Sequence, residues 1–214
     1  MPPRVLIWGA AGHARVVADI IRLGGRYELA GFLDDVRPER AGEEFEGATI
    51  VGGRDRLPRL LEAGVHDLIV AFGDCRARVD AARFAASLGF SLATAIHPSA
   101  VVAGSARLGG GTIVAANAVV NPGTDVGENV IVNTRSSIDH DCVVEDGAHI
   151  CPGVTLAARV RVGELAWIGV GATVSDGRSI GKRTLIGAGA VVVRDIPDDV
   201  VAYGVPARVM RKNP

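Results

Sequence analysis

The 214-residue sequence has few aromatics: five Phe, two Tyr and two Trp make up 4% of it. That excludes a core built mainly on large rings. It has no excess of either charge, with 23 Lys and Arg against 24 Asp and Glu. A basic footprint for nucleic acid is therefore missing. No apolar run approaches the roughly 20 residues of a membrane span. The opening Met1-Pro2-Pro3-Arg4 lacks the charged and apolar regions of a secretory leader. Cysteine is sparse: Cys75, Cys142 and Cys151 are scattered, odd in number, and form no CxxC pair. These features lead us to expect reduced thiols in a cytoplasmic protein. Glycine is abundant, at 28 residues, and 48% of the chain is hydrophobic. Many tight turns around an aliphatic core suit that composition.

The second half carries a strict repeat. Every sixth residue from Ile96 to Val192 is Val, Ile or Leu, seventeen in all, and the register never slips. The residue two before each is usually small, as at Ala100, Thr112, Ser136, Cys142 and Ala190. Gly often follows, as at Gly109, Gly127, Gly163 and Gly181. A period of six is neither helical nor simple alternation. It fits a parallel β-helix in which each hexad gives a short strand and a turn. The aliphatic residue points inward and the small residue pads the corner. Three hexads close a coil, so residues 18 apart stack about 4.8 Å apart. Arg178 is the odd member of the small column, suited to a coil near the end of the prism where its side chain can reach solvent.

The first half alternates differently. Val5 to Trp8 reads as a strand, Gly9 to His13 as a tight turn, and Ala14 to Leu23 as a helix stopped by Gly24-Gly25. Strands follow at 27–33, 67–72 and 91–95, with helices at 57–63 and 76–88. Such alternation gives a small Rossmann-like parallel sheet with helices on its faces. The expected domains are 1–95, α/β, and 96–214, β-helix, packed closely without a linker.

Four constellations bear on chemistry. The turn Gly9-Ala10-Ala11-Gly12-His13 lies between strand and helix, where backbone can approach a phosphate. Asp34 and Asp35 end the next strand, where carboxylates can take ribose hydroxyls or base N–H groups. Phe72-Gly73-Asp74 opens on the same edge. The spacing is not GxGxxG, so dinucleotide binding is disfavoured, and plain tight turns are the bland alternative. Second is Asp139-His140-Asp141, on the turn after the inward Ile138. A carboxylate beside an imidazole suits a general base; a solvated surface histidine is the alternative. Third, His149 and Trp167 are 18 apart and should form an exposed column, either a subunit seam or the wall of a ligand channel. Fourth, a metal site is disfavoured, because His97 lies more than two coils below His140 and three imidazoles do not converge.

The hexads, "NTRSSIDHDC", "GAHICPG", "IGAGAVV" and the ending Tyr203 to Arg208 resemble the left-handed β-helix acyltransferases. With "WGAAGHARVV", "FLDD" and "AFGD" in front, nearly the whole chain resembles one family: N-acetyltransferases of nucleotide-linked 4-amino-4,6-dideoxyhexoses, of bacillosamine or perosamine type. The related sialic acid O-acetyltransferases share the architecture. The resemblance implies a left-handed coil, a homotrimer with active sites between neighbouring prisms, and acetyl-CoA as co-substrate without a metal. It implies His140 as general base, followed by Asp141 where some relatives have Glu. Asn133 and His149 fall on positions near the thioester. Ala158, where a relative has Gly, falls on the backbone N–H that holds the thioester oxygen. Gly204, Pro206, Ala207 and Arg208 resemble the clamp on coenzyme A. Gly9, Gly12, His13, Asp34, Asp35 and Gly73 match the nucleotide-sugar site. The expected reaction is direct acetyl transfer to a UDP-, GDP- or dTDP-linked amino sugar. O-acetylation of a sugar hydroxyl and a non-catalytic nucleotide-binding scaffold are the alternatives. Whether Asp139 or Asp141 orients His140 is open from adjacency alone.

Overall fold

The computed structural model describes residues 2–213. They divide into two compact units, Met1–Pro98 and Ser99–Pro214. The six-residue period begins slightly earlier, at the short strand Ala95–Ile96.

In the first unit, β1 (Arg4–Trp8) leads into α1 (Gly12–Gly24), which alternates Val17, Ile20 and Ile21 onto the sheet and ends on Gly25 in the left-handed region at φ 63°. Glycine there carries no Cβ penalty. The chain continues through β2 (Glu28–Leu33), β3 (Glu44–Phe45), β4 (Ala48–Gly52), α2 (Leu57–Glu62), β5 (Asp67–Val70), α3 (Cys75–Ser87) and β6 (Ser91–Leu92). The sheet order is β3-β4-β2-β1-β5-β6. β1 is central and parallel to β2 on one side and β5 on the other, so the order reverses there. Ligands of open α/β sheets sit beyond the strand carboxyl ends at such a point.

The β3–β4 hairpin was not among the expected strands. Its loop is Glu46-Gly47, both left-handed at φ 46° and 66°. That is the signature of a two-residue hairpin turn. The shorter strands at 67–70 and 91–92 end where the chain turns toward α3 and the next unit's ladder.

The second unit is a three-faced prism of parallel two-residue strands. Ile131, His149 and Trp167 stack directly, as do Ser137 and Thr155, and Val143 and Arg161. The spacing is the expected 18 residues. From Val114 to Val192 the aliphatic column is at most 2% exposed. The first rungs differ: Ile96 is 37% exposed, and Val102 and Leu108 are half-buried, because an end coil has a coil neighbour on only one side. Arg178 reaches outward to Asp195 at 3.6 Å.

From Gly111 to Gly189 each corner turns through one left-handed residue. Asn117, Asn129, Arg135, Asp141, Arg159, Leu165 and Arg183 hold φ between 52° and 59°, and glycines take the other corners of that stretch. Glycine immediately after the rung has another cause. A Cβ on Gly163 would lie 2.6 Å from the Lys182 nitrogen of the next coil. After the last coil, Val200–Gly204 and Ala207–Lys212 form an antiparallel hairpin.

Candidate functional site

The cleft of the α/β unit lies beyond the ends of β1, β2 and β5. Its volume is about 330 Å³, within the usual range of small-molecule sites. Gly9, His13, Asp34, Asp35 and Gly73 line it, with Trp8, Val36, Arg37 and Phe72. Gly12 opens α1 beside them. Gly9 is required there: at φ 128°, an added Cβ would lie 3.2 Å from the Ala71 carbonyl oxygen. The first turn of α1 has no side-chain cap and no acid. Its N–H groups and the helix dipole suit an anion.

Both aspartates are already engaged. Asp34 Oδ1 accepts from the N–H groups of Val36 (3.1 Å) and Arg37 (3.0 Å), and Oδ2 from Arg40 Nη1 (2.9 Å). Asp35 Oδ1 accepts from the Arg54 N–H at 2.6 Å, and Oδ2 from Trp8 Nε1 (3.1 Å) and Arg54 Nε (2.9 Å). Asp34 and Asp35 therefore brace the loop after β2 as well as lining the cleft. Arg40 also donates to the Ala10 carbonyl at 2.9 Å, tying that loop to the β1–α1 turn. Burial, and then the nearby Arg78 charge, push the His13 imidazole down to about 4, so it is neutral at pH 7.

On the prism, His140 stands on the corner after Ser137–Ile138. Its Nδ1 is 2.8 Å from Asp141 Oδ2. The left-handed backbone of Asp141, at φ 59°, brings that carboxylate back to the preceding ring. Asp139 does something else. Its Oδ1 accepts from the His140 N–H at 2.8 Å and from Asn121 Nδ2 at 3.0 Å. Those two donors hold the Asp139 carboxyl below the usual carboxylate range. Asp141 thus meets the ring and Asp139 fixes the turn. Asn121 was not singled out from sequence, although it lies 18 residues before Asp139, one coil below.

Ala158 lies one coil above His140; the Arg159 N–H donates to the His140 carbonyl at 3.0 Å. The Cys142 thiol donates inward to the Ala157 carbonyl at 3.2 Å. In a trans peptide the following N–H then points outward. At three of the equivalent corner positions a side chain of a neighbouring coil takes that N–H, Glu128 to Asp146, Glu164 to Glu145 and Lys182 to Asp198, whereas at Ala116, Val170 and Ala188 none of the described residues does. Among the described residues none accepts from the Ala158 N–H. That leaves the N–H of Ala158, itself 8% exposed, as a donor one coil above His140.

The His149–Trp167 column corrects the sequence expectation: His149 is buried, 5% exposed. The Trp167 ring covers it at 4.4 Å, and Asn133 Nδ2 lies 3.0 Å from its Nε2. Asn133 Oδ1 accepts from the Thr134 N–H at 2.8 Å, which orients the amide. The Asn133 amine therefore donates to Nε2, and the ring proton sits on Nδ1. His140 and the Asn133–His149 pair follow different faces of the prism, so one prism does not bring them together. At the terminal hairpin, Gly204, Val205 and Pro206 form an exposed tip and Arg208 is exposed, whereas the Ala207 side chain packs into the prism core. Among the described residues no three His, Cys, Asp or Glu converge on a metal site, and no helix is long and apolar enough to cross a membrane.

Residues 4–83 match the PglD N-terminal domain. The structure aligns with perosamine N-acetyltransferase from Caulobacter crescentus, solved with CoA and GDP-perosamine, at 45% identity over 96% of each chain and a TM-score of 0.92. The chain belongs to the hexapeptide-repeat sugar acetyltransferases. The acetyltransferase domain of PglB from Neisseria gonorrhoeae, in complex with acetyl coenzyme A, is a second family member, 38% identical over 98% of this chain and 100% of that one, TM-score 0.89. The coil is the family's left-handed parallel β-helix. Curated relatives match over shorter stretches: a galactoside O-acetyltransferase from Escherichia coli is 34% identical over 92 residues, 35% of this chain and 45% of that protein. The match spans less than half the length of these curated relatives.

Proposed function

We propose that the protein is an acetyl-CoA-dependent N-acetyltransferase acting on the 4-amino group of a nucleotide-linked amino-dideoxy sugar, with His140 as general base. The observation that carries this is the His140–Asp141 pair, 2.8 Å apart, one coil below an Ala158 N–H that has no acceptor among the described residues. The solved perosamine N-acetyltransferase, complexed with CoA and GDP-perosamine, supports the choice of donor and acceptor class.

In this mechanism the α/β cleft holds the nucleotide and the amino sugar is presented to His140. The amine attacks the thioester carbonyl carbon, and a C–N bond forms. Nε2 of His140 takes the amine proton. Asp141, on Nδ1, fixes the tautomer and stabilises the imidazolium. The Ala158 N–H donates to the developing oxyanion. The C–S bond then breaks, and the imidazolium returns its proton to the coenzyme A thiolate. No side chain is acylated. The exposed tip at Gly204 to Pro206, with Arg208 beside it, would hold coenzyme A and its phosphates. Asn133 and His149 lie on a different edge from His140, so a site that uses both needs two copies of the chain. A homotrimer with sites between prisms meets that requirement.

The test is a thiol-release assay with acetyl-CoA over purified GDP-, UDP- and dTDP-linked 4-amino sugars, with free sialic acid as a hydroxyl acceptor. Release that depends on one nucleotide amino sugar is the expected result, and the GDP-linked form is the first to try. Release only with the hydroxyl acceptor would make the protein an O-acetyltransferase. Acetyl-CoA binding with no release on any acceptor would make it a scaffold.

A further inference from the structure

Behind the cleft wall lies an arginine that does not reach the cleft lining. Arg78 is in the first turn of α3 and is 0% exposed. Its Nη1 donates to the carbonyls of Phe72 at 3.0 Å, Gly73 at 3.0 Å and Asp74 at 3.3 Å. Phe72 and Gly73 line the cleft. In a trans peptide the carbonyl and the following N–H lie on opposite sides. With the Phe72 and Gly73 carbonyls on the guanidinium, the N–H groups of Gly73 and Asp74 are turned away from it.

This placement does little for the helix. A cation at a helix N-terminus opposes the dipole, and burial strips a guanidinium of its hydration. Nor does α3 need Arg78 to start, since Asp74 already caps it by accepting from the Ala77 N–H at 2.8 Å. What the charge does reach is the cleft. After burial, it is the second cause of the lowered His13 value, and His13 sits on the opposite lip, at the start of α1. A fixed cation behind a wall of oriented backbone is an arrangement that attracts a diphosphate.

Resting on the assignment of this cleft to a nucleotide sugar, we infer that Arg78 is a positioning residue for the nucleotide end of the acceptor. It fixes the Phe72–Asp74 turn and supplies a buried positive charge behind it, without touching the ligand.

The test uses the full chain as wild type, Arg78→Gln, which removes the charge but keeps amide donors, and Arg78→Lys, which keeps the charge but loses the planar fork. GDP and UDP are titrated calorimetrically, with acetyl-CoA titrated alongside and thermal melts recorded. Arg78→Gln should weaken nucleoside diphosphate binding by about tenfold or more. Arg78→Lys should weaken it by less. Acetyl-CoA binding should be unchanged in both. A folded Arg78→Gln protein that binds nucleotides as wild type does overturns the inference. So does an equal loss for nucleotide and acetyl-CoA, which would assign Arg78 to stability alone. If Arg78→Gln does not fold, Arg78→Lys decides: a loss confined to nucleotides supports the role and unchanged binding overturns it. A wild-type protein that binds neither nucleotide refutes the cleft assignment itself, before any variant is measured.

Discussion

The α/β cleft and the prism corner place their charges in opposite ways. In the cleft, Asp34 is 7% exposed and Arg40 13%, and each bonds to the other and to backbone. Arg78 is wholly buried. At the corner, the His140 side chain is 48% exposed and Asp141 63%, and they pair mainly with each other. The cleft is thus built by the folding of its own unit, and its polar groups hold the loops that shape it. The corner is an ornament on a repeat whose stability comes from Ile138, fully buried one residue before the triplet. Under the proposed roles, the recognition residues are coupled to folding and the reacting residues are nearly free of it. Substitutions should separate the two regions accordingly.

The largest separation is expected at the corner. His140→Ala should lower kcat by roughly 10²–10⁴. Its melting temperature should stay within a degree or two of wild type, because surface substitutions of this kind usually shift stability by about 0.5 kcal/mol or less. Thiol-release kinetics and a thermal melt on the same sample check both halves. Normal kcat would remove His140 from the chemistry. A large loss of melting temperature would erase the contrast between corner and cleft.

Next comes acid. His13 titrates at about 4 in the folded chain, against an ordinary 6.5. Between these values the unfolded chain binds a proton that the folded chain refuses. The contribution tied to a neutral His13 is therefore fully present above about pH 6.5 and is lost progressively as pH falls toward about 4. At 1.36 kcal/mol per unit, the difference of about 2.5 units amounts to about 3 kcal/mol. Hydrogen exchange at pH 7.5 and pH 4.5 should show loss of protection in the α/β unit well before the prism. His13→Gln should flatten that dependence. Equal loss in both units would mean that His13 does not set the acid limit.

The same contrast governs how much could be read from the sequence. The prism was legible because every rung repeats one requirement at fixed spacing, and a Val, Ile or Leu every six residues leaves no other register. Asp139-His140-Asp141 stood out against that background. Asn121 was legible too, at 18 residues before Asp139, but only once the vertical register is applied to the acid rather than to the histidine. The cleft's Gly turns and Asp34-Asp35 could be placed by strand and helix alternation. Its bracing could not. Arg54 meets Asp35 across 19 residues and Arg40 meets Ala10 across 30, with no periodicity to announce either. The β3–β4 hairpin had a local signal, Glu46-Gly47 between Phe45 and Ala48, but β3, at two residues, is too short to show alternation. His149 reads as exposed from its outward register, whereas the Trp167 ring and the Asn133 amide pack against it.

The smallest effect decides between the two acids beside His140. Asp141 touches the ring and Asp139 touches the backbone, so neutralising each should fail differently. Asp141→Asn leaves a neutral amide on Nδ1 and removes the charge that stabilises the imidazolium. A hydrogen bond to a charged group contributes about 1.5–3 kcal/mol, so kcat should fall by roughly ten- to a hundredfold. Asp139→Asn keeps an acceptor for the His140 N–H and the Asn121 amide can reorient around it. Its kcat should fall by only a few fold. If the two variants exchange these behaviours, Asp139 is the partner in the reacting complex, and the corner rearranges when substrate arrives. If both are mild, the imidazole works without a fixed acid, and Asp141 serves the left-handed turn more than the chemistry.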